Sequence, residues 1–176
     1  MLQNLSLPFS LGIVEDGLVL REAVEADLDS LMALLADDSI SAARGDLDAA
    51  EDRPTYLTAL RAITDDPANA LLVVVNASES LVGTMQLTRI PGMARRGATR
   101  LLIEAVRVRS DHRSLGIGAA MMRWVIDSAS SQLDADLIQL TSDAARSDAH
   151  RFYTRLGFTG SHIGYKYRVT RSAQTA

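Results

Sequence analysis

Val106-Arg107-Val108-Arg109-Ser110-Asp111-His112-Arg113-Ser114-Leu115-Gly116-Ile117-Gly118 decides the reading of this chain. It reads as the end of a β-strand, a short polar turn, and a helix that opens on glycines. Upstream, Leu101-Leu102-Ile103-Glu104-Ala105-Val106 has the β-branched, apolar character of a buried strand. Downstream, residues 119–129 are helix formers, and Ile117, Met121, Trp124, Val125 and Ser128 fall along one face. A helix start leaves its first backbone N–H groups unpaired, and they form the positive end of the helix dipole. Gly116 and Gly118 lack a Cβ, so an oxyanion can approach those groups closely. Arg113 adds a full positive charge at the same end. The stretch reads as a diphosphate cradle, although a Gly-x-Gly at a helix start also serves as a plain turn.

Other nucleotide signatures fit poorly. A P-loop needs a Gly-Lys-Ser/Thr ending, which is absent, and a dinucleotide fold wants a third glycine where Met121 stands. A chain of 176 residues with 47% apolar content suits one domain with a full hydrophobic core. The expected division is an extension over residues 1–16, a single domain over 17–170, and a disordered polar tail over 171–176. A formal net charge of -4 recommends no nucleic-acid partner, and no helix-turn-helix pattern is present. The absence of cysteine excludes disulfides, thiolate metal sites and a cysteine nucleophile. His112, His150 and His162 make no ligand pair, so no metal is expected. There is no apolar run of roughly 18 residues to span a membrane. The first residues lack a basic n-region and a clear h-region, so the expected location is cytoplasmic.

In chain order, residues 1–16, interrupted by Pro8 and Gly12, read either as a loosely packed extension or as a short added strand. Residues 17–22 read as the first true strand. Val24, Leu28, Leu31, Leu34 and Leu35 then recur at helical spacing, with the stop at 37–39. Residues 41–53 are polar and small. Pro54 suits the first turn of a second helix, whose apolar face is Tyr56, Leu57, Leu60 and Ile63. The apolar run 71–75, the turn 76–80 and the run 81–90 predict a hairpin. A basic, glycine-bearing loop at 91–97 leads into the strand 99–109, and the helix after it is expected to stop at 130–134. Residues 136–141 read as a strand. Ala145, Ala149, Phe152 and Leu156 mark another helix, closed by Gly157. Phe158 and 163–169 read as the last strands. The alternation predicts an α/β (α+β) fold with a mixed, mostly antiparallel central sheet and helices on both faces.

Arg113-Ser114-Leu115-Gly116-Ile117-Gly118 resembles the Gln/Arg-x-x-Gly-x-Gly/Ala signature of the GNAT N-acetyltransferase superfamily. Arg146-Ser147-Asp148-Ala149-His150-Arg151-Phe152-Tyr153-Thr154-Arg155-Leu156-Gly157-Phe158 resembles its second signature, Asn-x-x-Ala-x-x-Phe-Tyr-x-x-x-Gly-Phe. The two occur in the family's order, one strand apart, and the resemblance covers roughly residues 17–169. It implies a GNAT-like fold and an acyl-CoA-dependent N-acetyltransferase that uses acetyl-coenzyme A (acetyl-CoA) as cosubstrate. The acceptor would be a primary amine of a small molecule or peptide, attacked within one ternary complex. The alternative is a non-catalytic acyl-CoA-binding regulatory module of the same fold. No membrane partner is expected from a chain without a long apolar run, and homodimer formation is an open option.

By the same resemblance, Arg113, Ser114, Leu115, Gly116, Ile117 and Gly118 would hold the cofactor diphosphate. Val106 and Val108 would lend backbone groups to the pantetheine arm, with residues 139–141, including Thr141, forming the facing strand. Arg146 stands where the family usually has asparagine, and either contacts a coenzyme A phosphate or points to solvent. Tyr153 matches the tyrosine that can protonate the departing thiolate; as a residue beside Phe152 it also reads as core packing.

Glu104 is a lone carboxylate in an apolar strand, costly to bury unless paired or used. It reads either as a salt bridge to Arg107 or a neighbouring-strand arginine, or as the general base for the acceptor ammonium. His112 and His150 read as polar surface residues. The acceptor region would lie along the acidic segment with Asp46, Asp48, Glu51 and Asp52, and the basic loop with Arg95, Arg96 and Arg100. Both also read as solvated loops.

Overall fold

A short apolar run without polar alternation suits a strand covered on both faces, and residues 71–75 sit at the centre of the sheet. The computed structural model describes residues 2–13, 17–38, 42, 45 and 47–169. The chain divides into two compact units, Met1–Leu140 and Thr141–Ala176. The first holds a six-stranded sheet in the order β1 (Phe9–Ser10), β2 (Val19–Glu22), β3 (Asn69–Val75), β4 (Leu81–Ile90), β5 (Arg100–Val108) and β6 (Leu137–Leu140). Neighbours pair antiparallel from β1 to β5, and β5 pairs parallel with β6. A parallel pair needs a crossover, and here the cradle helix supplies it. This is the mixed, mostly antiparallel sheet that the alternation of elements predicts.

Side chains on one strand alternate between faces, and β3 shows what covers each. Val73 and Val75 join Leu28, Leu31, Met32 and Leu34 of α1 (Leu28–Ala36) and Leu60 of α2 (Arg53–Thr64) in one buried cluster. Val74 faces the other way. A Cβ built on Gly83 would lie 3.5 Å from the Val74 Cβ and 3.3 Å from the sulfur of Met121, a residue of α3 (Ile117–Trp124). Helices therefore cover both faces. Each of the fully buried leucines and methionines is worth about 1.5–3 kcal/mol of transfer free energy, so this layering accounts for the fold.

Before α1 comes a tight turn, Glu25–Asp27, which the helical spacing alone does not reveal. Asp27 Oδ2 accepts the Val24 N–H at 2.8 Å, and the two Asp27 oxygens accept Arg21 Nη1 and Nη2 at 2.7 and 2.8 Å. Pro54 does sit in the first turn of α2. Of the two readings of the N-terminal residues, the short added strand is the observed one. Leu2, Leu5 and Leu11 are buried, and the Phe9 ring lies 6.2 Å from that of Trp124.

The cradle helix ends at Gln132, within the expected stop at 130–134, after a π-helical turn at Val125–Ala129, with Ser130 Oγ bonding back to the Ile126 carbonyl at 2.6 Å. Two expectations need correction. The loop 91–97 contains a turn, Ala94–Gly97, in which Arg95 and Arg96 are left-handed. Phe158 and 163–169 form no strand among the described residues, and Ile163, Tyr165, Tyr167 and Val169 are exposed. Alternation of apolar residues suits a strand, but only a neighbouring strand satisfies its backbone groups.

The second unit contains α4 (Ser147–Arg155), with Leu156 as its cap. Gly157 follows at φ 92°, donating its N–H to the Thr154 carbonyl at 3.0 Å. That left-handed position after a helix is one glycine fills without strain. Asp46 and the tail 171–176 lie outside the described residues.

Candidate functional site

The β5 strand reaches the cradle through a kink. Gln86 faces Glu104 and Thr84 faces Arg107, so Ala105 and Val106 together oppose Met85 alone. Ala105 takes φ 50° to make room for the extra residue. Such a bulge sharpens the local bend of a strand, and that backbone costs a non-glycine residue roughly 1–2 kcal/mol. Pairing between β5 and β6 runs only from Arg100↔Leu137 to Ile103↔Leu140. Beyond Ile103, β5 continues to Val108 with no strand on that edge among the described residues. The carbonyls there are engaged by side chains: Val106 accepts Arg107 Nη1 at 2.8 Å, and Val108 accepts Arg113 Nε at 3.1 Å.

Glu104 lies next to the bulge and is exposed, so the burial cost that the apolar strand suggests does not arise. Among the described residues it forms no ion pair, and the Arg107 guanidinium donates to Val106 instead. Alternation explains this: Leu101 and Ile103 turn to the core, so Glu104 lies on the opposite face of β5, and pairing with β6 ends one residue before it.

After β5 the chain makes a tight turn at Ser110–His112. Asp111 Oδ1 accepts Arg109 Nε at 2.7 Å and lies 2.7 Å from His112 Nδ1. Hydrogen bonds from Arg109 and His112 hold the Asp111 carboxyl down at about 2. His112 is thus a partner within the turn rather than a free base. Ser114 is left-handed at φ 65° and Gly116 at φ 88°. Gly116 caps α3, and among the described residues no side chain caps the helix start. The first helical bond runs from Ala120 N–H to the Gly116 carbonyl at 2.9 Å, leaving the preceding N–H groups outside the helical ladder. A Cβ at Gly116 would meet nothing within 4 Å, so the space above it is open. Ser114, Leu115 and Gly116 are exposed, whereas Ile117 is buried and anchors the helix.

Arg113 is less free than its sequence position suggests. Its Nη2 donates to the Asp37 carbonyl at 2.8 Å and lies 3.6 Å from Asp37 Oδ2. Asp37 Oδ2 also accepts the Ser110 N–H at 2.6 Å. Reading the chain by motif missed Asp37, which closes α1. An acidic residue at the negative end of a helix dipole is out of place electrostatically, and that was the available signal. Gly83 was also missed, although a glycine inside a strand commonly marks a close backbone approach.

The structure thus brings Glu104, Val106, Val108, Arg113, Ser114, Leu115, Gly116, Ile117 and Gly118 together along one strand, turn and helix start of the first unit. Thr141, Arg146 and Tyr153 belong to the second unit, and Thr141 follows β6 rather than lying within it. Arg146 precedes α4 and is half-buried; its N–H donates to the Asp143 carbonyl at 3.0 Å. Tyr153 is half-buried between two aromatic rings, edge-on to Phe152 at 5.1 Å and to Phe158 at 5.9 Å. His150 Nε2 lies 2.8 Å from the Asp143 carbonyl oxygen. Asp48, Glu51, Arg95, Arg96 and Arg100 are exposed. Among the described residues no group of acidic, histidine or cysteine side chains is arranged to hold a metal, and no helix is long and apolar enough to cross a membrane.

The acetyltransferase (GNAT) family model matches residues 29–158. The solved structure of a transcriptional regulator from Bacillus halodurans C-125 is 37% identical, with a TM-score of 0.78 over 86% of this chain and 99% of that one. An acetyltransferase from Trypanosoma brucei shares the fold at 22% identity, with a TM-score of 0.69 over 86% of this chain and 99% of that one. An aminoalkylphosphonate N-acetyltransferase of Salmonella typhimurium is 38% identical over 53 residues, or 30% of this chain. That match spans only 34% of the curated relative.

Proposed function

Because the chain belongs to the acetyltransferase (GNAT) family, we propose that it transfers an acetyl group from acetyl-CoA to a primary amine of a small molecule or peptide. The observation that carries the reading is the uncapped start of α3, opened by left-handed Gly116 with free space above it. It is fed by a strand edge that lacks a neighbour among the described residues. Dipole, N–H groups and space are what a diphosphate requires. The thioester supplies an activated acetyl group, so the protein's own work is positioning and proton transfer.

Residues 113–118 hold the diphosphate, and the edge of β5 at Val106 and Val108, half-buried and without a neighbouring strand among the described residues, receives the amide-bearing arm. Glu104, exposed beside the bulge, takes the proton from the acceptor ammonium. Tyr153 gives its hydroxyl proton to the departing thiolate sulfur, and Arg146 adds positive charge for a coenzyme A phosphate. The amine acceptor is supported by the family and by the N-acetyltransferase activity for which the Salmonella relative is named. A panel of primary amines incubated with acetyl-CoA, followed by free-thiol release, tests the reading. Acetylation of at least one amine supports it.

The Bacillus relative's description as a transcriptional regulator favours one second reading. In it the chain is an acyl-CoA-binding regulatory module. Coenzyme A binding in calorimetry without acetylation of any amine in the panel would select that module.

A further inference from the structure

The contacts of Asp37 reach both ends of the turn that carries the cradle. Its carboxylate takes the Ser110 N–H at 2.6 Å, across 73 residues of sequence. Its carbonyl takes Arg113 Nη2 at 2.8 Å, and its Oδ2 lies 3.6 Å from the same nitrogen. Arg113 Nε meanwhile donates to the carbonyl of Val108, the last residue of β5, at 3.1 Å. One aspartate at the end of α1 therefore clasps the beginning and the end of residues 110–113, the link between the strand and the cradle. The clasp forms against local preference, since a negative charge at a helix C-terminus opposes the dipole.

We infer that Asp37 is a positioning residue for the acyl donor: it fixes the turn before the cradle and sets Arg113 in place for the diphosphate. The inference rests on the cradle reading above. Its physical basis is preorganisation. A guanidinium already held by two carbonyls loses less side-chain freedom when an anion arrives. The turn that presents the helix N–H groups is likewise held by a tie from another element.

Calorimetric titration of the full chain with coenzyme A tests this through a double-mutant cycle. Asp37→Ala should raise Kd about tenfold, the worth of a lost charge-assisted hydrogen bond. Asp37→Asn keeps an oxygen for the Ser110 N–H and should stay within about threefold of wild type. Asp37→Ala keeps the main-chain carbonyl that takes Arg113 Nη2 and removes only the carboxylate's contacts, so in an Arg113→Ala background, where its pairing with the guanidinium is already gone, it should cost less than about threefold. A purely structural Asp37 would give the same factor in both backgrounds, and that additivity would overturn the inference. Unchanged affinity in Asp37→Ala would overturn it as well. Failure of the wild-type protein to bind coenzyme A would instead remove the cradle reading, and this inference with it.

Discussion

Gly83 lies directly beneath Met121: a Cβ on Gly83 would stand 3.3 Å from the Met121 sulfur and 3.3 Å from the Arg107 carbonyl oxygen. The sulfur belongs to a flexible side chain, but the carbonyl belongs to the strand next door. A bare backbone at this point lets α3 settle on the sheet and places the cradle at the end of β5. Gly83→Val should therefore destabilise by about 1–3 kcal/mol through overpacking. Chemical denaturation measures this. Combined with Met121→Ala, the loss should fall short of the sum of the single losses, because the two changes share one space.

At Gly116 the constraint is of another kind. No protein atom would lie within 4 Å of a Cβ at this position, but φ is 88°. Gly116→Val should cost roughly 1–2 kcal/mol in backbone strain and still fold. It should lose coenzyme A binding, because the new side chain occupies the space offered to the anion. Titration of a variant shown to be folded by circular dichroism is the check. Unchanged affinity would remove the cradle.

Tyr153→Phe keeps a ring against Phe152 and Phe158, so packing should survive. Coenzyme A affinity should be unchanged while kcat drops by roughly 10²–10⁴, the usual worth of general acid–base help. Near wild-type kcat on a good acceptor would make the tyrosine a packing residue.

Glu104→Gln should depress the rate most at low pH, where the acceptor ammonium needs a base, with partial recovery as pH rises. A pH–rate profile with a good acceptor decides it. A uniform loss at all pH values would assign Glu104 to acceptor binding instead.

Asp27 sets an acid limit on stability. Burial pushes its carboxyl up, but the bonds from Arg21 and the Val24 N–H outweigh this and hold it below the usual value. A carboxyl lowered in the folded state stabilises at pH above its unfolded value of about 3.9, and that contribution is lost as pH falls through the folded value. Thermal melts should therefore show Tm declining below about pH 4. Asp27→Asn should lower stability by about 2 kcal/mol at neutral pH and flatten the acid decline. Asp111, held at about 2 by Arg109 and His112, acts in the same window. Being exposed, it should contribute less, and Asp111→Asn provides the comparison.

Sequence by itself determined most of the elements and the glycine opening of α3. The apolar run at 71–75, the periodicity of α1 and α2, Pro54 in the first turn of α2 and Gly157 after α4 are local signals, set by propensities and backbone geometry within a few residues. The same holds for the helix opening at Gly116, because glycine alone takes φ 88° without strain. What only tertiary structure decided depends on partners far along the chain. The bulge at Ala105 exists because β4 offers one residue where β5 brings two. The exposure of Glu104 depends on where β6 stops: its pairing with β5 ends at Ile103, one residue before the carboxylate. The tie from Asp37 to Ser110 joins positions 73 residues apart. Residues 163–169 carry a strand's alternation without becoming one, since alternation selects a face but only a paired neighbour completes the hydrogen bonds.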